Sequence, residues 1–455
     1  MTDSLRSFFT IMESQRGIVV QGTPKLDLDL YIQNYRGRTR FDRLFLIGRT
    51  SQTLCVDALK AAVAEAKRGR DVRRYQAAVE SLHMAAPSEP EAVFDQQWID
   101  HTEMSNRADT HRLEAELKGY KNNLIKESIR MGNEDLGKHY ESIGDLNKAM
   151  DAYTRMRPDI STPKHIVDVG KHLVRVSLQR REWAMAAINV NKMAGNLSAD
   201  DEKALQPYLK VLHGIALLGQ GKYHEAALSF LQTDPAIPNT SYDEVASPND
   251  VAIYGALLAL ASMDRKDLQL KVLDNAKFRA FLELEPHIRR AVTQFVNGRY
   301  SACLAILESY RADYLLDVYL QSHVEKIYEE IRSKCIVQYL IPFSCVTLES
   351  MNEAFAAPGQ SIEMELVDMI RSGTLQARYN AIDKLVTTVS ADARLALQLK
   401  ALATAKSYQR EAVESIRRMS LVAADLEVKG QRKFPGGQIN LGQANDGQLV
   451  GASIP

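Results

Sequence analysis

The chain has 455 residues, 57 basic and 57 acidic side chains, and a hydrophobic fraction of 45%. Its length is enough for two or three domains, and its balanced charge argues against a partner held by net charge alone. No apolar run approaches the ~20 residues of a membrane span. Residues 1–23 lack the basic start and the small-residue cleavage site of a signal peptide. We therefore expect neither a membrane segment nor a secretory signal.

The four cysteines are scattered, and no Cys-x-x-Cys pair occurs. This usage predicts reduced, mostly buried thiols and a location in the cytoplasm and nucleus. Signals for β-strands are scarce outside one short region near the carboxyl end. The predicted fold class is therefore all-α with a small β wing.

The amino-terminal part divides into a flexible segment, residues 1–25, and a helical unit, residues 26–90. From Arg36 to Arg74 the unit has eleven basic and four acidic residues. One interpretation is a contact for an acidic partner surface. The other is a solvated helical face, because the arginines are interleaved with leucines and phenylalanines that a helix pair would bury.

Residues 91–131 are predicted to form a long connecting helix. No proline occurs from Ala92 to Arg130, and opposite charges recur four residues apart. The segment is either one helix or two nearly coaxial helices broken near Gly119. At 1.5 Å per residue, it would reach about 58 Å, enough to join two lobes.

Residues 132–323 repeat a spacing of small and large residues that is typical of tetratricopeptide-like helix pairs. The turns within these pairs are predicted at positions 144, 181, 221 and 298, and a further pair turns near Asp264. The small residues would let two helices approach closely, while the large ones would fill the seam with the next pair. The segment is therefore predicted to be an α-solenoid.

Residues 324–389 follow the order of a winged helix. An amphipathic helix over 324–340 ends before Pro342, and a short β-branched run follows at 345–347. Two small helices come next, and the second ends at Gly373. Two short strands, 375–379 and 384–389, can then pair as a hairpin.

Residues 390–428 are predicted to form one carboxyl-terminal helix, from Ala391 to Leu426. Its seam alternates steps of four and three residues, the period of helices that pack along their length, so it would join a bundle with helices of other subunits or else fold back on the solenoid. The seam consists of Ala401, Ala405, Tyr408, Ala412, Ser415, Met419, Val422 and Leu426. Residues 429–455 hold many glycines and few large apolar residues, and are predicted to be disordered.

No catalytic, cofactor or metal site is predicted. His165 and His172 could share a helix face, but two ligands alone do not make a metal site. The glycine-containing stretch 216–222 lacks the first glycine of a phosphate loop, and a tyrosine replaces its Ser/Thr. We therefore interpret it as a turn between repeat helices and expect that the chain is not an enzyme.

The predicted winged helix is not expected to bind nucleic acid. Between Val324 and Val389 there are six basic and nine acidic residues, a net charge of −3. The candidate recognition helix carries Glu363, Glu365 and Asp368 against Arg371 alone. Neutralising phosphates requires lysines and arginines on the face that enters the groove.

Three stretches of this region resemble the PCI domain, which the proteasome lid, the COP-nine signalosome and a translation initiation complex share. The stretches are Val346–Leu348, Ser361–Leu366 and Met369–Ala377. Residues 28–47, with Tyr35-Arg36-Gly37-Arg38-Thr39 at their centre, are similar to the signalosome branch of that family. Residues 123–132 and 281–284 extend the resemblance, which covers residues 26–426.

The resemblance implies a non-catalytic scaffold subunit of the signalosome, the complex that removes Nedd8 from cullins. In that complex another subunit holds the zinc. The implied partners are other PCI subunits, bound through the winged helix and the carboxyl-terminal helix, and cullin–RING ligase components, bound through the amino-terminal region. A paralogous subunit of the proteasome lid, and a translation initiation factor subunit that binds RNA, remain as alternatives.

Two sets of residues are predicted to form the interface with other subunits. In the wing hairpin they are Leu375, Ala377, Tyr379 and Leu385. In the carboxyl-terminal helix they are Ala401, Ala405, Tyr408, Ala412, Met419, Val422 and Leu426.

Overall fold

A computed structural model describes residues 3–197, 199–235, 242–356, 359–388 and 393–426. The chain divides into two compact units, Met1–Thr388 and Val389–Pro455. The described residues are mainly helical, with a single three-stranded sheet among them, which confirms the predicted fold class. No helix in these ranges is long and apolar enough to cross a bilayer. The predicted disordered tail, residues 429–455, lies outside the described residues.

The first unit begins with six helices and a short 3₁₀ turn at Pro90–Ala92. The helices are α1 (Asp3–Ser14), α2 (Leu28–Gln33), α3 (Gly37–Thr50), α4 (Cys55–Arg68), α5 (Val72–Ala85) and α6 (Gln96–Asn123). The prediction of a flexible terminus is wrong for α1. Phe8, Phe9 and Met12 lie on one face of that helix and are buried in the core of the amino-terminal helices.

The predicted connecting helix is shorter than expected, and it folds back on the chain. Helix α6 ends at Asn123, and Leu124 takes a left-handed conformation, with φ of +54°. The next helix then runs antiparallel to α6, so that Tyr140 donates a hydrogen bond to Glu114 at 2.8 Å. The break therefore lies at Leu124 rather than near Gly119, and α6 belongs to a helix hairpin.

The solenoid follows, with a 3₁₀ turn at Arg157–Asp159 and a π-helical turn at Leu268–Leu273. Its helices are α7 (Lys126–Ile143), α8 (Leu146–Arg155), α9 (Pro163–Gln179), α10 (Trp183–Ala194), α11 (Ala199–Gly219), α12 (Tyr223–Leu231), α13 (Pro248–Ser262), α14 (Arg265–Asp267), α15 (Ala276–Leu282), α16 (Pro286–Val296) and α17 (Tyr300–Leu315).

The four predicted repeat turns share one backbone geometry. Gly144, Arg181, Gly221 and Gly298 all have φ between +58° and +86°. In each turn the next amide donates to a carbonyl five residues earlier, as Lys222 does to Leu217 at 3.0 Å. This is the Schellman ending of a helix. The predicted turn near Asp264 is of a different kind, because Met263 and Asp264 keep negative φ values and the short α14 follows.

The repeats are held together by glycines that face large side chains of the paired helix. A Cβ on Gly214 would lie 2.7 Å from the Phe230 ring, and one on Gly255 would lie 2.7 Å from the Phe278 ring. These distances are too short for a methyl group. The close approach predicted from the spacing of small residues is thus confirmed.

The winged helix is continuous with the solenoid. Its elements are α18 (Val324–Leu340), β1 (Cys345–Thr347), α19 (Leu348–Phe355), α20 (Glu363–Arg371), β2 (Ala377–Asn380) and β3 (Leu385–Thr388). One buried apolar cluster extends from Val167 in α9 to Val386 in β3, so the two parts share a core. The second unit contributes helix α21 (Ala393–Ala423).

Candidate subunit-interaction surfaces

The sheet of the winged helix has the order β1-β3-β2, and both pairs are antiparallel. Thr388 donates to Ser344 at 3.0 Å, and Leu348 donates to Lys384 at 2.8 Å. Since hydrogen-bonded pairs alternate along an antiparallel ladder, the backbone groups of Cys345 face away from β3. The outer side of β1 is therefore one of the two edges of this sheet.

The second edge is the outer side of β2. The register pairs Arg378 with Thr387 and Asn380 with Leu385. Because Leu385 and Thr387 direct their backbone groups away from β1, these are the hydrogen-bonded pairs of β2 and β3. The backbone of Tyr379, between them, faces outward. A small sheet with two edge strands, whose outer backbone groups face away from β3, can accept a strand from another chain.

The structure changes the role that the predicted wing residues can have. The side chains of Leu375 and Ala377 are buried in the core, and Leu385 lies in the central strand. Leu375 and Ala377 are therefore not available at a surface, whereas the side chain of Leu385 is partly exposed. Tyr379 is partly exposed and lies on an edge strand. The interface itself stays a prediction, and what β2 can offer is its backbone edge.

Two basic residues of α18 make polar contacts, Arg332 within the winged helix and Lys334 with the solenoid. Arg332 forms a 2.7 Å ion pair with Glu365 of α20 and donates to the Phe355 carbonyl at 3.0 Å. Lys334 donates to the carbonyls of Leu260 and Met263, at the end of α13. Burial lowers the pKa of Lys334 to about 8. The winged helix is therefore fixed to the last solenoid repeats by polar contacts as well as by the shared core.

Helix α21 exposes a row of apolar side chains. Tyr408 and Met419 are 74% and 70% exposed, and Leu426, just beyond the helix, is 68% exposed. Large residues beside the predicted seam are exposed as well, namely Leu402, Val413 and Ile416. The helix runs over 31 residues. A helix of this length gains most of its stability from packing, and the exposed row is the apolar surface that it offers for such packing.

The basic stretch from Arg36 to Arg74 is largely paired within the chain. Among the described residues, every basic side chain of the stretch except Arg49 and Arg73 has a carboxylate within ion-pair distance. The pairs include Arg38–Asp71, Arg40–Glu65, Lys67–Asp95, Arg70–Asp109 and Arg74–Asp42. A broad surface for an acidic partner therefore fits poorly. The other interpretation, a solvated helical face, fits exposed members such as Arg68 but not the buried Arg43.

One member of that stretch, Arg43, is completely buried between the amino-terminal helices and the solenoid. Its guanidinium is 2.9 Å from Asp250 and 2.7 Å from Asp317, and its carbon lies 4.0 Å from the centre of the Tyr35 ring. Burial raises the pKa of Asp250 to about 6, while the charge of Arg43 opposes that shift. Tyr35 also donates to Asp250, at 2.8 Å.

This cluster is the feature that the sequence analysis missed. It explains part of the resemblance, because Tyr35 and the following residues hold the amino-terminal unit on the solenoid. Thr39 donates to the Glu244 carbonyl, and Arg36 pairs with Asp243 at 3.5 Å. A signal existed, since no acidic residue stands three or four positions from Arg43 to pair with it along the helix.

No group of three or more His, Cys, Asp or Glu within the described ranges is arranged to hold a metal ion. His165 and His172 both lie on α9, as expected, but each faces a glutamate of α7. His172 stacks on the Tyr153 ring, with ring centres 4.6 Å apart, and lies 3.5 Å from Glu134. The expected absence of a metal or cofactor site stays a prediction.

Two family models match the chain. The model for 26S proteasome subunit RPN7 matches residues 95–271, and the model for the PCI domain matches residues 307–389. The second range covers the end of the solenoid and the whole winged helix. The PCI domain predicted from the three short stretches is thus confirmed.

Curated relatives match over almost the whole length. The chain is 55% identical to COP9 signalosome complex subunit 1 of Neurospora crassa over 438 residues, which cover 96% of each protein. It is 48% identical to the protein of that name from Emericella nidulans, over 90% of this chain and 84% of the relative. The protein of that name from Arabidopsis thaliana is 34% identical, over 92% of this chain and 95% of the relative.

Proposed function

The chain belongs to the COP9 signalosome complex subunit 1 family, and from this premise we propose that it is a non-catalytic scaffold of that complex. Its partners would be other PCI subunits, bound through the sheet edges and helix α21. The complex would remove Nedd8 from cullins, with the zinc chemistry on another subunit. Cullin–RING ligase components would approach the amino-terminal region, and the complex would work in the cytoplasm and nucleus.

The exposed apolar row of α21 is the observation that carries this proposal. Its large side chains, such as Tyr408, Met419 and Val422, are each more than half exposed. Each would contribute about 1.5–3 kcal/mol if it were fully buried against a partner. The alternating spacing suits a neighbour that is itself a long helix. A bundle of helices from several subunits would satisfy this requirement.

The two alternatives are less well supported. A subunit of the proteasome lid would agree with the match to the RPN7 model, but the near full-length relatives carry the signalosome name. An RNA-binding translation factor would need a basic winged helix. Here the exposed face of α20 carries Glu363 and Asp368, and Glu365 is paired with Arg332.

The test is reconstitution of the complex with the full-length chain and variants of α21. Tyr408→Gln combined with Met419→Gln removes two large side chains from the seam. Lys406→Gln combined with Arg417→Gln is the matched control, since each position lies about 200° around the helix from its seam counterpart. We expect the seam variant to co-elute with the other subunits at least tenfold more weakly, while the control behaves as wild type.

Circular dichroism should show equal helix content in both variants, so that a loss reflects the interface and not unfolding. Equal co-elution of the two variants would mean that the seam does not bind a partner. The wild-type chain, purified alone, should also show no isopeptidase activity and no stoichiometric zinc. One tightly bound zinc per chain would contradict a purely scaffolding role.

A further inference from the structure

A groove of about 400 Å³ lies between the amino-terminal helices and the solenoid. The turn between α9 and α10 forms one wall, and helices α1 and α3 form the other. Met12, Ile18, Phe45 and Trp183 line it with apolar surface, and Ile18 remains 40% exposed. This volume is in the range of pockets that hold a small ligand or a few side chains of a peptide.

Two arginines on this groove differ from the others in the region. Among the described residues, neither Arg49 nor Arg181 has a carboxylate partner, although both line the groove. Arg49 lies against Met12, 3.4 Å from its sulfur, and over the Phe45 ring at 5.5 Å. Asp42 is the acidic residue of the lining, and it is paired with Arg74 at 2.9 Å. The groove therefore carries an uncompensated positive charge beside its apolar wall.

The backbone of Arg181 supplies an independent argument. The corresponding turn residues of the other repeats, Gly144, Gly221 and Gly298, are glycines in the left-handed region. Arg181 takes the same conformation, with φ of +58°, although a side chain disfavours it. Nothing in the turn itself requires an arginine, because glycine would form the same backbone bonds at lower strain. What the arginine adds is a guanidinium at the mouth of the groove.

We propose that this groove binds an acidic peptide segment of a partner protein, with an aromatic or branched aliphatic side chain inserted between Phe45 and Trp183. The carboxylates would pair with Arg49 and Arg181. Arginine favours such contacts because its planar fork matches a carboxylate with two parallel hydrogen bonds. The apolar wall would bury an apolar side chain of a peptide, whereas a phosphate backbone has no such group to place against it. A nucleic acid therefore fits the groove less well.

The chain's own carboxyl-terminal segment is a poor occupant. Residues 427–455 contain three basic and two acidic residues, so their charge does not complement the groove. The inference does not depend on membership of the signalosome, because it rests on the groove alone. Its failure would leave the scaffold proposal untouched.

The experiment uses the full-length chain with Trp98→Phe, which leaves Trp183 as the single tryptophan. A library of random ten-residue peptides is selected on this protein, and recovered peptides are titrated while Trp183 fluorescence is recorded. We expect the peptides to be rich in Asp and Glu, to contain an aromatic or branched aliphatic residue, and to change the emission of Trp183.

Arg181→Gly is the decisive variant, because it removes the guanidinium and also the strain of a side chain in the left-handed conformation. Its thermal midpoint should equal or exceed that of the parent, while peptide affinity falls at least about tenfold, the effect of losing one charge-assisted hydrogen bond. Arg49→Gln should also weaken binding. Arg73→Gln, at an exposed arginine outside the groove, is the control and should bind as the parent does.

Several results would overturn the proposal. The selection could recover no binding peptides, or peptides that are not enriched in Asp and Glu. Arg181→Gly could bind the peptides with unchanged affinity, or binding could leave the Trp183 emission unchanged. Tighter binding of an oligouridine than of the best peptide would assign the arginines to nucleic acid instead. A lower thermal midpoint for Arg181→Gly would show that the arginine serves the fold.

Discussion

Nη1 of Arg43 lies 2.7 Å from a carboxylate oxygen of Asp317, and both residues are buried although 274 positions separate them. The pair joins α3 to the segment that leads into α18. With Asp250, it forms a charged cluster that fixes the amino-terminal helices on the solenoid. Tyr254 donates to Asp317 at 2.7 Å, so the carboxylates also have neutral partners.

Replacing Arg43 should be severely destabilising. Arg43→Ala leaves two carboxylates buried without their cation, and breaking a buried pair in this way costs about 3–5 kcal/mol. Urea unfolding of the full-length chain measures the loss. Arg73→Ala, at an exposed arginine of the neighbouring helix α5, should change the free energy of unfolding by less than about 0.5 kcal/mol. Similar small losses for both variants would show that the cluster does not stabilise the fold.

A methyl group added at Gly214 should disturb the repeat that contains α11 and α12. The new Cβ would lie 2.7 Å from the Phe230 ring, and overpacking of this kind costs about 1–3 kcal/mol. Gly119→Ala is the matched control, because it places the same methyl group on α6 with no atom within 4 Å. That variant should gain up to about 1 kcal/mol from better helix propensity. Both values come from denaturant titrations, and a stable Gly214→Ala would contradict close packing of the pair.

The stability of the first unit should fall as the pH drops below neutrality. Burial, and then the charge of Arg175, lower the pKa of His172 in the folded chain, whereas the unfolded value is about 6.5. The unfolded state therefore binds the proton more tightly. The stability that neutral His172 contributes is fully present above pH ~6.5. It is lost as the pH falls from there through the pKa of His172 in the folded chain.

His172→Phe should make this pH dependence shallower, because it removes one of the histidines whose pKa is lowered by burial and preserves stacking on Tyr153. Unfolding free energies measured between pH 7.5 and 5.5 provide the comparison. His101→Phe, at an exposed position of α6, is expected to keep the wild-type slope. If the wild-type and His172→Phe curves run parallel, the His172 proton is not coupled to folding.

A proline at the outer edge of β2 should weaken assembly with a neighbouring subunit. Tyr379→Pro removes an outward amide without removing a bond to β3, whereas Tyr379→Ala removes the side chain alone. We expect the proline variant to lose co-elution with its partners and the alanine variant to retain most of it. Equal behaviour of the two variants would exclude the β2 edge as the joint, and Cys345→Pro would then test β1.

Local sequence patterns were sufficient for most of the elements. The turns at Gly144, Gly221 and Gly298 were predictable because glycine readily takes the left-handed conformation that ends a helix. The helix from Val324 to Leu340 was predicted with the bounds that the structure has, since its apolar period and Pro342 define it locally. Three of the four cysteines are buried, as their usage indicated, and Cys345 is exposed.

Other features were decided only by tertiary contacts. In the sequence, Phe8 and Phe9 belong only to a short apolar run. In the structure they pack in the core of the amino-terminal helices. The position of β3 between β1 and β2 depends on pairing across 40 residues, and no local rule specifies it. Of the four side chains predicted for the wing interface, Leu375 and Ala377 are buried, while Tyr379 and Leu385 are partly exposed.

The sequence by itself determined several helix ends, such as those at Gly144, Gly221 and Leu340, because turn conformation and apolar period act within a few residues. Only the tertiary structure decided which arginines are paired with a carboxylate of the same chain. Arg43 pairs with carboxylates more than 200 positions away, while Arg49 and Arg181 line a groove and have no carboxylate partner among the described residues. Ion pairs of this range depend on the distance in space between charges, which the order of residues along the chain does not fix.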